Sequence, residues 1–80
     1  MTLKPRNEEY WDLFVKFTDG TYHSTSHESM EAAKALLEII RRHGIKEASI
    51  YHEWAFVDPE RKNAKLLHSI RVYHEPMVNP

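Results

Sequence analysis

Cysteine is absent from the 80 residues, so neither disulfides nor thiolate metal sites can brace the fold. Stability must come from packing or self-association, and a reducing cytoplasm is the expected compartment. There are only two glycines, Gly20 and Gly44, which excludes a glycine-rich loop cradling phosphate. Long apolar runs are missing too. Met1 to Tyr10 has no signal-peptide pattern, and no segment approaches the roughly 20 apolar residues of a membrane helix.

Excess charge of either sign is also lacking. Eleven basic and twelve acidic side chains give a formal net charge of −1, the wrong sign for a protein held to nucleic acid by phosphate neutralisation. What the chain does have is an apolar fraction of 41%, enough to fold, and six histidines that would make the surface more positive near pH 6. Residues 1 to 80 read as one domain, with an ordered core over 10–75 and polar ends at 1–9 and 76–80.

Hydrophobic periodicity organises that core. Tyr10 to Phe17 alternates, placing Trp11, Leu13, Val15 and Phe17 on one side of a strand. Asp19-Gly20 has the form of a type I′ hairpin, leading into a second strand from Thr21 to about Thr25. Thr25-x-x-Glu28 has capping-box spacing, and a helix to His43 follows, with Met30, Ala33, Leu36, Leu37 and Ile40 as its apolar stripe. Gly44 stands where a left-handed terminating residue is expected. Period two returns from Glu47 to Val57 and from Lys65 to Glu75, around a polar loop. In that hairpin Ile50 should oppose Val72, Trp54 His68, and Phe56 Leu66.

The expected fold is therefore α+β, β-β-α-β-β, with a four-stranded antiparallel sheet in order 2-1-3-4 and one amphipathic helix on one side. Trp11, Leu13, Val15, Ile50, Trp54, Ile70 and Val72 should face the helix. The open side should carry Tyr10, Phe14, Tyr51, Glu53, Leu67, Arg71 and Tyr73, where a solvated sheet would ordinarily show Thr, Lys and Glu. Aromatic and arginine side chains are enriched at protein interfaces, so this set is the expected partner-binding surface. Because the third and fourth strands outrun the helix, Trp54, Phe56, Val57 and Leu66 near their hairpin end form a candidate self-association arm.

Chemistry is harder to find. The serines lack an elbow or oxyanion-loop context, and His52-Glu53 and His74-Glu75 are adjacent in strands, so their side chains point apart. His23 and His27 do not share a helix. His52 and His68 approach as diagonal neighbours but supply only two ligands where zinc needs three or four. The expectation is a non-enzymatic protein with no cofactor and no metal. It would bind another protein, or form a homodimer, as an accessory or inhibitory module of the kind phages make against host machinery. The alternatives are a carrier of a small ligand or metal, with a dimeric pocket near His52, Trp54 and His68, and, lower, single-strand nucleic-acid binding.

Overall fold

A computed structural model describes residues 4–60 and 63–76, and the backbone of Asn63 without its side chain. The polar ends at 1–3 and 77–80, and Arg61 and Lys62 of the polar loop, lie outside the described residues. Strand β1 spans Arg6–Phe17, β2 Tyr22–His27, helix α1 Met30–Ile40, β3 Ile45–Asp58 and β4 Asn63–Glu75. The sheet is antiparallel throughout in the order β2-β1-β3-β4, the order expected from a right-handed crossover.

The turns differ in detail from their sequence signals. Phe17 and Thr21 close the first hairpin, Phe17 N–H donating to the Thr21 carbonyl at 2.9 Å, and Gly20 N–H donates to the Phe17 carbonyl at 3.0 Å. The loop thus holds three residues rather than two, with Gly20 at φ +91° taking the left-handed position. Asp19 tightens it by accepting from the Thr21 backbone at 2.9 Å and hydroxyl at 2.6 Å. β2 continues past Thr25 to His27, so the helix cap is Ser29, whose hydroxyl accepts from Ala32 N–H at 3.0 Å, and the Thr25-to-Glu28 box does not form. The helix tightens into a 3₁₀ turn over Arg41–His43 and stops at Gly44, φ +84°.

Gly44 is the more demanding glycine. A β-carbon there would meet Thr18 Oγ1 at 2.8 Å, whereas one at Gly20 meets nothing within 4 Å. Both backbones are unfavourable for L side chains. Gly20→Ala should cost about 1 kcal/mol and Gly44→Ala more, about 2–3 kcal/mol, in urea titrations. Equal losses would mean that Thr18 yields freely.

One face of the helix meets one half of the sheet. Leu13, Val15, Ala33, Leu37, Ala48 and Ile50 are all at most 2% exposed and form the core, with Trp11, Phe17, Met30, Leu36, Ile40, Ile45 and Tyr73 around them. Eleven helical residues span about 16 Å, while the 14 residues of β3 span about 46 Å. The molecule is accordingly elongated, 54 × 22 × 21 Å. The far half is a three-stranded arm of β1, β3 and β4 that the helix does not reach. β1 enters it at Arg6, where polar residues 6–9 were expected to be a loose end; they are strand because they pair with Trp54 to Val57.

Two irregularities shift the β3–β4 register. Trp54 opposes His68 as expected, but Ile50 opposes Tyr73 rather than Val72, and Phe56 opposes Lys65 rather than Leu66. The shifts lie between Ile50 and Tyr51 and between Trp54 and Ala55, leaving Val72 and Leu67 as extra residues in β4. Val72, 42% exposed, is thereby left out of the core and Tyr73 moves to the helix side, while Ile70 keeps its side but, on the edge strand, is 46% exposed.

Candidate functional site

The open side is built as a checkerboard. Across β1, β3 and β4, successive rows read Phe14–Ser49–His74, Asp12–Tyr51–Arg71 and Tyr10–Glu53–Ser69, so large rings alternate with small or carboxylic side chains. Phe14 meets Tyr51 edge-on at 5.6 Å and 84°. Between the rings, Ser49, Glu53 and Ala55 of the central strand are buried although no helix covers this side. The result is an open groove of about 560 Å³ lined by Phe14, Tyr22, Tyr51, Ser49, Glu53 and Ser69. Lys16 lies 5.6 Å from the Tyr22 ring centre at one margin of the sheet.

Glu53 is the unusual group in this groove. Its carboxyl is held up to about 7, first by a hydrogen bond with Asp12, then by burial and by the Asp12 charge, with Ser69 hydrogen bonding opposing the rise. Asp12 also accepts from Ser26 Oγ at 2.5 Å. A proton held on Glu53 beside Asp12 can be released near neutral pH. Burial and the neighbouring carboxylates of Glu53, Asp12 and Glu8 push the Tyr10 hydroxyl above its usual range. The Asp12–Glu53 pair escapes a strand-by-strand reading. The alternation puts both on the open side, but only the β1–β3 register, with Asp12 opposite Tyr51 and Tyr10 opposite Glu53, makes them diagonal neighbours.

Of the expected partner-binding residues, Tyr10, Phe14, Tyr51, Glu53 and Arg71 share this side, and Leu67 sits in a bulge, 53% exposed. Tyr73 does not belong to the set. It packs on the core, its hydroxyl donates to Glu75, and Lys34 lies 5.6 Å from its ring centre. Glu75 also takes Arg41 Nη1 at 2.8 Å, and Arg41 first, then Tyr73, holds the carboxyl down to about 2. This cluster fastens the 3₁₀ turn to β4. The self-association set is split by the strand parity: Trp54 and Phe56 point to the helix side of the arm, Val57 and Leu66 to the open side.

Four of the six histidines, His23, His27, His52 and His68, lie on the helix side of the sheet, whereas His74 is on the open side and His43 is in the 3₁₀ turn. His52 is stacked on Trp11 at 4.2 Å and lies 3.9 Å from Trp54, which in turn lies 5.2 Å from His68. Trp54 therefore stands between the two imidazoles expected to approach a common ion. His52 Nε2 is 3.1 Å from Glu9 Oε1 without hydrogen-bond geometry. In β2, Thr25 Oγ1 bridges His23 Nε2 at 3.0 Å and His27 Nε2 at 2.7 Å. No group of three or more metal-ligating side chains occurs among the described residues. No described helix is long and apolar enough to cross a membrane.

Compared with known proteins, the chain matches no family model, no curated protein and no solved structure.

Proposed function

We propose that this chain is a non-enzymatic protein-binding module, accessory or inhibitory in character, which takes a partner on the open side of its sheet. The observation that carries the reading is the checkerboard of Tyr10, Tyr51 and Phe14 over a buried floor, with Phe14 42% exposed. Such rings offer wide contact area at small entropic cost, and the groove between them accepts side chains of a partner. Its shape favours a macromolecule over a small ligand, because small-molecule sites enclose most of their ligand's surface and this groove is open along the sheet. Its charges favour protein over nucleic acid, since Lys16 is the one Lys or Arg in its lining, beside Glu47 and Glu53, and the whole chain is slightly acidic. The carboxyl pair is spent on its own internal hydrogen bonds, which suits a binding floor better than proton transfer to a substrate.

Arg71, opposite Tyr51 at the margin, supplies a fork of donors for a partner carboxylate or carbonyl. The test is capture of partners from cells of the source organism by the immobilised chain, against a Phe14→Ala/Tyr51→Ala variant. The variant should keep its melting temperature within a few degrees and lose at least tenfold in capture of whatever the wild type enriches. Equal capture by both would remove the open side from the proposal.

A further inference from the structure

We propose that two copies of this chain join through the outer edges of their β4 strands, making a two-fold, eight-stranded sheet whose axis passes through Ile70. β4 is the sheet's long edge, 13 residues against six in β2, and among the described residues no strand lies on its outer side. Every residue from Ala64 to Val72 is exposed. Leu66 at 52%, Leu67 at 53%, Ile70 at 46% and Val72 at 42% make it the most apolar exposed element of the described residues. Edge strands are usually blunted by proline, charge or bulges; β4 carries two bulges, at Leu67 and Val72, but no proline and no formal charge between Lys65 and Arg71.

Symmetry and the two bulges select the register. Antiparallel pairing of identical edges requires an axis perpendicular to the sheet, so facing residues must lie on the same side of it. Pairing with β3 puts Lys65, His68, Ile70, Tyr73 and Glu75 on the helix side, and Ala64, Leu66, Ser69, Arg71 and His74 on the open side. An axis at Ile70 sets Lys65 against the partner's Glu75, Leu66 against the partner's His74, and Ser69 against the partner's Arg71, each pair on one side. An axis at Ser69 also matches sides but sets Lys65 against the partner's Tyr73, losing the opposite charges. An axis at His68 brings Lys65 against the partner's Arg71, and one at Arg71 brings two arginines together. Charge complementarity therefore chooses Ile70. In this register each bare arm lies beside the helix-covered half of the other copy, so apolar surface left uncovered by one helix borders the layer built by the other.

The absence of cysteine makes the test direct. Sedimentation equilibrium from about 1 to 200 µM should give twice the chain mass at the upper end. Residues facing each other across paired strands are within disulfide reach. Oxidised Ile70→Cys should thus form a covalent dimer in several-fold higher yield than Ser69→Cys, and Ile70→Lys should be monomeric with unchanged helix content. A monomeric mass at every concentration overturns the proposal and leaves the edge to a strand from a different protein. Cross-linking at Ser69→Cys equal to or above that at Ile70→Cys overturns the register. The Phe14→Ala/Tyr51→Ala variant should retain the dimer mass, so loss of partner capture and loss of dimer are read separately.

Discussion

Leu13→Ala should remove a large share of the stability of this protein, while Leu67→Ala should change it by less than about 0.5 kcal/mol, although both delete the same atoms. An 80-residue chain has on the order of 4–12 kcal/mol to lose. Leu13 is 0% exposed and is seated among Leu37, Ala33 and Ile50, where a vacated side chain leaves a cavity, so a loss of about 3–4 kcal/mol is expected. Leu67, in the bulge of β4, is 53% exposed and fills no enclosed space. Urea titration followed by tryptophan fluorescence compares them directly, since Trp11 borders the core. Similar losses at the two leucines would mean that the arm is covered in solution, which the edge dimer would accomplish, and repeating the titration at low protein concentration should then restore the difference.

Glu53→Gln should abolish a pH dependence that the wild type shows in an unusual direction. A carboxyl whose value rises from 4.5 to about 7 on folding favours the protonated form in the fold. Its contribution is complete below pH 4.5 and is lost as pH rises through about 7, so the wild type should be less stable at pH 8 than at pH 5. The shift sets an upper bound of about 3 kcal/mol on the difference. Glu75 acts with the opposite sign. Held down to about 2 by Arg41, it contributes above pH 4.5 and loses that contribution as pH falls toward 2. Stability should therefore peak near pH 5. A glutamine at position 53 can hydrogen bond to Asp12 without a titrating proton, so the variant should hold its stability between pH 5 and 8 and exceed the wild type at the upper end. A wild type equally stable at both values would show that the fold does not hold a proton on Glu53.

The architecture was legible because each element declares itself locally: alternation in β1 and β3, a 3.6-residue stripe in α1, glycine at two reversals. Strand order followed from a right-handed crossover. What could not be read were features decided by pairing. Residues 6–9 are polar and carry no strand signal, and they are strand only because β3 extends beyond the helix to meet them. The bulges at Leu67 and Val72 are invisible in a segment whose apolar content simply continues, yet each displaces the alternation by one: the bulge at Val72 carries Tyr73 to the core side, and the bulge at Leu67 carries Leu66 to the open side. The site suffered in the same way. Five of its seven proposed residues share the open side because β1 and central β3 are in regular register there, Tyr73 was lost to a bulge, and the Asp12–Glu53 pair needed the inter-strand register to be seen.

The central position of β1 has a consequence for biosynthesis. β1 emerges from the ribosome first and can close at once on β2 across its three-residue turn, but its other edge is filled only by β3, which ends at Asp58. Until then the nascent hairpin holds Leu13 and Val15 on a face with half its sheet missing, and the helix has only part of its platform. Cooperative folding must wait until β3 is available through Asp58, so the rate at which Ile45–Asp58 is delivered governs how long an open strand edge is exposed to other chains.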